Sequence, residues 1–365
     1  MTTTHGAPAP LLPEGFSGWL AGVADGLDSG AEPASGLVPR LAAAGLVGAG
    51  VPVPAGGAGG DVVDAVAAVS AVAEVSLAAA FVLWGQRTYV EYLLQSDNRA
   101  LGERLLPALL SGRLAGASAL SNAMKFLAGL EPLQIVAARD GEAFTLDGRM
   151  PWVTNLRPAG FHVAAAVDRA EGGPAFIVSL AHDDDGLARS PDLALMGMRS
   201  TDTAAVAIAG VRVGAERILA DDAAAWLPRV RPGFVGLQCG LSLGLARRAL
   251  AEAGQAAGSG RGVLGEPLLS TRQRLDRAEA RLHAGLRSRL FEADAASLFR
   301  LRIELADIVA EAISLELQAA GGRAYLAGPG RDFARRWREA AFIPLITPSL
   351  VQLRTALLDE RKSAA

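Results

Sequence analysis

The sequence predicts an α+β protein with an N-terminal α-helical domain, a small middle domain built as a β-barrel or sheet, and a C-terminal helical bundle. Three observations support this prediction. Residues 37–113 have a helical pattern, residues 133–213 contain short strand-like runs, and long helical patterns return after residue 235. The predicted domains are residues 1–117, 118–222 and 223–365.

The N-terminal domain contains one apolar run that could be mistaken for a membrane span. Residues 65–84 are nearly all apolar over a length that could cross a bilayer. Glu74 lies near the centre of this run, where a carboxylate in lipid would cost about 3 kcal/mol. We therefore predict a buried helix of a helical bundle and expect no membrane partner. The Pro- and Gly-rich loop at residues 51–60 lacks the G-x-G-x-x-G spacing of dinucleotide-binding folds, so we interpret it as a turn.

The middle and C-terminal domains differ in the period of their apolar residues. Residues 161–167, 175–179 and 204–213 are rich in β-forming side chains and are separated by Gly, Asp and Pro. In the Leu-rich segments 268–290 and 299–318, Arg and Glu occupy the polar positions. The first pattern predicts short strands, and the second predicts long amphipathic helices that bury one face in a bundle.

Composition excludes several classes of partner. The chain of 365 residues is 51% hydrophobic, which is enough for a large core. Its 35 Lys and Arg residues are balanced by 38 Asp and Glu residues, and no dense basic tract is present, so we expect no nucleic-acid partner. One cysteine and four scattered histidines predict neither an internal disulfide nor a metal site. The N-terminus has no secretory pattern, and we expect a cytoplasmic location.

Two single residues receive structural interpretations. His162 lies in the apolar alternation of a predicted strand, where a half-buried histidine with a hydrogen-bond partner is expected. Cys239 lies in an apolar helical stretch, which is typical of a small inert core residue. We therefore assign no chemistry to either side chain.

The middle domain carries the two most informative motifs. One is D-G-R-M-P-W-V-T-N at residues 147–155, and the other is M-G-M-R-S-T-D-T at residues 196–203. Their order between two helical regions resembles the acyl-CoA dehydrogenase superfamily. The G-x-x-W-[IV]-T-N run of that family is matched at Trp152, Thr154 and Asn155, with Met-Pro in place of the usual lysine. Further similar runs are residues 51–57, 197–200, 211–213, 261–268 with Gln273, and 318–325.

The resemblance implies a C-terminal four-helix bundle and an FAD cofactor. A flavin ring is flat and apolar with polar edges, so its site needs an apolar surface and a few fixed polar groups. By resemblance, Trp152 would pack near the ring, Thr154 would reach its N5 edge, and Ser200 would lie close to the phosphate or the ring. The cofactor-binding residues implied in this way are Ser121, Trp152, Thr154, Ser200, Arg261, Gln273, Gln318, Gly321 and Gly322.

The resemblance also implies an oligomer. Arg261 would bring positive charge to the flavin pyrophosphate, and Gly321 and Gly322 would let the backbone approach it closely. In the family these elements reach the FAD of a neighbouring subunit. We therefore expect a homodimer or a homotetramer.

The sequence departs from the family where the catalytic base is expected. Dehydrogenation of an acyl thioester needs a carboxylate to remove the α-proton. Most family members carry a glutamate near the C-terminus, and alignment on Arg354 places Thr347 at that position. A second family location falls at residues 233–238, which contain no acid. No catalytic residue is assigned, and Glu131 and Glu339 remain weak candidates for a relocated base.

Three hypotheses of function follow. The first is α,β-dehydrogenation of an acyl thioester by an FAD-dependent oxidoreductase with a base in a nonstandard position. The second is a monooxygenase on the same fold, which would use O₂ and reduced FAD or FMN from a separate flavin reductase and would not need that base. The third is a non-catalytic subunit that completes the site of a partner chain. The sequence does not choose among a CoA thioester, a carrier-protein thioester and a small aromatic or amine as substrate.

Overall fold

Helices at both ends of the chain flank a central sheet, as predicted. The computed structural model describes residues 12–120, 123, 126, 131–258 and 261–363, apart from the side chains of residues 261 and 360–363. Its helices are α1 (Glu14–Ser29), α2 (Leu37–Ala43), α3 (Val62–Ala73), α4 (Leu77–Leu94), α5 (Arg99–Leu110), α6 (Ala223–Ala256), α7 (Arg261–Arg287), α8 (Leu290–Ala293), α9 (Ala295–Ala320), α10 (Arg331–Phe342) and α11 (Leu350–Ser363).

The strands of the described residues form one sheet of eight strands in the order β6-β7-β3-β2-β4-β5-β8, with β1 paired to β4. Strands β1 and β2 run parallel to β4, and the other pairs are antiparallel. The three predicted strands correspond to β4, β5 and β7. The strands are β1 (Ala115–Ser118), β2 (Ile135–Asp140), β3 (Ala143–Val153), β4 (Phe161–Arg169), β5 (Phe176–Ala181), β6 (Leu187–Arg189), β7 (Ala204–Val213) and β8 (Ile218–Ala220).

The apolar run at residues 65–84 forms two helices rather than the single buried helix that we predicted. Helix α3 ends at Ala73, and the side chain of Ser76 accepts a hydrogen bond from the backbone N–H of Ala79 at the start of α4. A serine hydroxyl offers the backbone a cap that a purely apolar pattern does not reveal. Residues 77–93 of α4 are all buried, including the polar residues Gln86, Arg87 and Glu91, so this helix is enclosed on every face. Within the described residues, no helix is long and apolar enough to cross a membrane.

The C-terminal region is built on helix α6, which packs against α3, α4 and α9. The contact with α3 is close, because a Cβ atom on Gly244 would lie 2.1 Å from the carbonyl oxygen of Ser70. The predicted helical segments 268–290 and 299–318 fall largely within α7 and α9. On α6, Cys239 is fully buried, and burial raises the pKa of its thiol to about 12. The interpretation of Cys239 as an inert core residue is confirmed.

Helix α4 is tied to the sheet through a short polar network. The hydroxyls of Tyr89 and Ser179 lie 2.6 Å apart, and Nδ1 of His162 lies 2.9 Å from the same serine oxygen. Burial, followed by the charge of Arg217, lowers the pKa of His162 to about 4. His162 is therefore a neutral, half-buried strand residue with a hydrogen-bond partner, as the sequence predicted.

Candidate functional site

A cavity of about 500 Å³ lies between the sheet and the helices. Its walls come from α4, from the end of β3, from the loop before β7, from α6 and from the segment that follows α10. The volume falls within the range of roughly 300–1,000 Å³ that is usual for small-molecule sites. Trp152 and Thr154 of the W-V-T-N motif line this cavity, and so does Thr347 from the C-terminal region.

The end of β3 presents Trp152 and Thr154 to the cavity. The side chain of Trp152 is 62% exposed, whereas Thr154 is buried. Directly after them, Asn155 has a positive φ of 66°. Its Nδ2 donates to Oε1 of Gln86 at 2.9 Å and to the carbonyl oxygen of Gly116 at 2.8 Å. The asparagine of the motif therefore fixes the strand end to α4 and β1, and this contact orients the residues before it.

Three threonines form a hydrogen-bonded row on the cavity wall. The Oγ1 atoms of Thr154 and Thr203 are 2.9 Å apart, and those of Thr203 and Thr201 are 2.8 Å apart. Thr201 in turn donates to the carbonyl oxygen of Met198 at 2.9 Å. The sequence analysis noted the motif that contains Thr201 and Thr203 but assigned them no role. No local pattern signalled their contact, because Asp202 between them has a positive φ of 47° and the segment is not an extended strand.

Four aromatic side chains form a further part of the wall, and the sequence analysis missed them. The rings of Phe81 and Trp84 are stacked with centroids 5.1 Å apart, and Phe342 meets Phe81 edge-on at 5.0 Å. Phe234 lies 5.3 Å from Trp84 and accepts, through its carbonyl oxygen, a hydrogen bond from the indole N–H. The spacing of Phe81 and Trp84 places them on one helix face, but Phe234 and Phe342 join them only in the folded chain. We define these four residues as the aromatic wall.

Thr347, which the alignment on Arg354 assigned to the position of the family glutamate, lines the cavity, and its segment is held by hydrogen bonds to buried side chains. Its carbonyl oxygen accepts a hydrogen bond from Nε2 of Gln238 at 3.0 Å. Arg302 donates to Oε1 of Gln238 at 2.8 Å and to the carbonyl oxygen of Ile343 at 2.6 Å. A threonine hydroxyl cannot remove a carbon-bound proton near neutral pH.

Within the described part of the chain, the charged residues that line the cavity are Glu131, Arg149 and Arg338. Glu131 is exposed. Arg338 donates from Nε and Nη2 to one carboxylate oxygen of Asp28, at 2.9 and 2.6 Å. Of the two carboxylates considered as a relocated base, only Glu131 reaches the cavity.

Glu339 is not a base for this cavity. It is fully buried, its Oε1 accepts a hydrogen bond from the backbone N–H of Leu77 at 3.0 Å, and it pairs with Arg335 at 3.1 Å. Burial raises its pKa, while Arg335 opposes that shift. Glu339 instead caps the start of α4 and joins it to α10.

Of the remaining predicted cofactor residues, those whose side chains the structure describes lie outside the cavity wall. Ser200 is buried, its hydroxyl donates to the carbonyl oxygen of Glu32, and its N–H donates to that of Leu27 at 2.9 Å. It therefore joins the loop to α1 instead of facing the cavity. Ser121 and the side chain of Arg261 lie outside the described residues. Four residues are exposed on the C-terminal helices or the loop after α9: Gln273, Gln318, Gly321 and Gly322.

The residues of the cavity fit a flavin ring. Trp152 offers an exposed flat surface, the aromatic wall offers an apolar boundary, and the threonine row offers fixed polar atoms. This combination is what a flat ring with polar edges requires.

Comparison with known proteins finds a family model and a relative that match parts of the chain. Residues 20–113 match the family model described as the acyl-CoA dehydrogenase N-terminal domain. The resemblance to the acyl-CoA dehydrogenase superfamily is confirmed. The chain is also 28% identical over 189 residues to mitochondrial isovaleryl-CoA dehydrogenase of Pongo abelii, a match that spans 49% of this chain and 44% of that protein. This curated relative is thus matched over less than half of its length.

Solved structures extend the acyl-CoA dehydrogenase fold over nearly the whole chain. Butyryl-CoA dehydrogenase from Megasphaera elsdenii has a TM-score of 0.82 and 20% identity, with 95% of each chain covered. KijD3, solved with FMN and dTDP-3-amino-2,3,6-trideoxy-4-keto-3-methyl-D-glucose, has a TM-score of 0.78 and 20% identity, covering 99% of this chain and 95% of that one. At these identities the likeness shows the acyl-CoA dehydrogenase fold alone.

Proposed function

We propose that this protein is a flavin-dependent oxidoreductase that binds FAD or FMN in the cavity. The observation that carries the proposal is that Trp152 and the threonine row share one wall of a cavity closed by aromatic side chains. A bound flavin supplies two-electron redox chemistry that no side chain provides. Trp152 packs against the ring, Thr154 contacts its polar edge, and the aromatic wall keeps water from the reacting atoms.

The first candidate reaction is α,β-dehydrogenation of an acyl thioester. It is the reaction class suggested by the names of isovaleryl-CoA and butyryl-CoA dehydrogenase. In this chain Glu131 is the carboxylate that lines the cavity, and it would accept the α-proton. Glu131→Gln would then remove bleaching of bound flavin by a thioester, while Glu142→Gln, a change at an exposed glutamate outside the cavity wall, would leave it unchanged.

The second candidate reaction is monooxygenation with reduced flavin and O₂. The observation that favours it is that Thr347, a residue without a carboxylate, lines the cavity where the sequence alignment puts the family glutamate. Monooxygenation does not need a carboxylate there. The enzyme would then depend on a separate flavin reductase.

The exposed residues of the C-terminal region support a homodimer or homotetramer. Gln273, Gln318, Gly321 and Gly322 are accessible on a single subunit, where they are able to meet the flavin of a neighbouring copy. In such an assembly the glycines would let the backbone approach the pyrophosphate.

An anaerobic absorbance titration tests the proposal and separates the candidates. The protein is reconstituted with FAD and titrated with a panel of acyl-CoA thioesters; in parallel, the chemically reduced complex receives a pulse of oxygen and substrate. Bleaching by a thioester supports dehydrogenation, whereas oxygen incorporation into substrate only from the reduced complex supports monooxygenation. Failure to bind either FAD or FMN contradicts the proposal and directs attention to a partner chain.

A further inference from the structure

The threonine row defined by Thr154, Thr203 and Thr201 fixes where its hydroxyl protons point. All three side chains line the cavity, and all three are at least nine-tenths buried. A hydroxyl has one proton to donate and two lone pairs to accept with. The direction of each hydrogen bond in the row can therefore be worked out from the one end where the donor is certain.

That end is the contact between Thr201 and Met198. A carbonyl oxygen has no proton, so Thr201 is the donor in its 2.9 Å contact with the carbonyl oxygen of Met198. Its only proton is then used, so Thr203 must donate to Thr201 across 2.8 Å. For the same reason Thr154 must donate to Thr203 across 2.9 Å. Three protons are committed to three hydrogen bonds inside the wall.

We propose that Thr203 and Thr201 are positioning residues that make Thr154 an acceptor-only group toward the cavity. With its proton held by Thr203, Thr154 offers only lone pairs to a bound molecule. The site then favours a ligand edge that carries an N–H over one that presents a bare nitrogen, because two facing lone pairs repel.

The consequence for a flavin rests on the proposed function. Reduction of a flavin converts bare ring nitrogens, which only accept hydrogen bonds, into N–H groups that donate. An acceptor-only hydroxyl therefore binds the reduced form better than the oxidised form. The threonine row thus raises the midpoint potential of the bound flavin. Thr203 and Thr201 produce this effect through Thr154.

The test compares Thr203→Val with Thr203→Ser. Valine has the shape of threonine without the hydroxyl, so it releases the proton of Thr154 to point into the cavity; serine keeps the hydroxyl. Anaerobic titrations with oxidised and with chemically reduced FMN give the ratio of the two dissociation constants, and dye equilibration gives the midpoint potential of bound FMN. We expect Thr203→Val to lower the preference for reduced FMN about fivefold, with a matching fall in potential, and Thr203→Ser to retain the wild-type ratio.

A measurement without flavin separates this inference from the proposed function. Neutron diffraction of a perdeuterated crystal should show deuterium on Thr154 directed at Thr203, and on Thr203 directed at Thr201. Deuterium pointing the opposite way, or equal ratios in Thr203→Val and wild type, would overturn the inference. If neither FMN nor FAD binds in either redox state, the proposed function fails, and the deuterium positions still decide the direction of the row.

Discussion

Gln238 donates a hydrogen bond from Nε2 to the carbonyl oxygen of Thr347 at 3.0 Å, linking positions 109 residues apart in the sequence. The other end of the same side chain accepts from buried Arg302 at 2.8 Å. The side-chain amide of Gln238 thus connects the segment around Thr347, which lines the cavity, to the buried guanidinium group of Arg302. Burial lowers the pKa of Arg302. The segment around Thr347 is therefore held in place through Gln238 and Arg302.

Gln238→Leu should destabilise the protein by about 2 kcal/mol, because it leaves the partly buried carbonyl oxygen of Thr347 and a buried guanidinium N–H of Arg302 without partners. Urea unfolding measures the change. Gln255→Leu, at an exposed position of the same helix, is the control and should change stability by less than about 0.5 kcal/mol. Equal effects of the two changes would contradict the structural role given to Gln238.

Asn155→Asp should destabilise the protein by about 3 kcal/mol and weaken flavin binding. Asp tolerates the positive φ, but a carboxylate would face Oε1 of Gln86 and the carbonyl oxygen of Gly116, which are both acceptors. Urea unfolding and FMN titration measure the two effects. Gln255→Glu provides the control for adding one exposed negative charge. Unchanged FMN affinity would show that the anchor does not orient Thr154.

His162 should make stability depend on acidic pH. Its pKa is lowered from 6.5 to about 4 in the folded protein, so below pH 6.5 the unfolded chain binds a proton that the folded chain does not. The contribution of neutral His162 to the free energy of unfolding is fully present above pH 6.5. It decreases as the pH falls and stops changing below about pH 4. The loss should reach about 3 kcal/mol relative to His162→Gln. Parallel curves of unfolding free energy against pH for the two proteins would disprove this assignment.

Arg261→Ala should weaken FAD binding by about 1–3 kcal/mol if the side chain contacts the flavin pyrophosphate of a neighbouring subunit. Fluorescence titration with FAD measures the effect. Arg272→Ala removes an exposed arginine from the same helix and should leave the affinity unchanged. A mixed assembly of Arg261→Ala subunits with Thr154→Val subunits should recover part of the binding, since some sites then combine intact residues from both chains. Equal FAD affinity of Arg261→Ala and the wild-type protein would show that Arg261 does not contact the flavin.

The order of helices and strands could be predicted from the sequence, because helices and strands each repeat their apolar side chains with a characteristic local period. The strands at residues 161–167 and 204–213 and the helix at 299–318 were predicted on this basis. The W-V-T-N motif likewise placed Trp152 and Thr154 at one site, because they lie two residues apart on one strand end.

Tertiary structure decided which distant residues meet. Phe234 and Phe342 join Phe81 and Trp84 only through packing of three separate segments, and no local pattern reports such a contact. Ser200 looked like a ligand contact in its motif, but its hydroxyl bonds to Glu32, which is 168 residues away. The sequence by itself predicted the order of helical and strand regions and the cavity-facing strand end, because both depend on local patterns. The three-dimensional packing determined the aromatic wall and the direction of the threonine row, because both depend on side chains brought together by the fold.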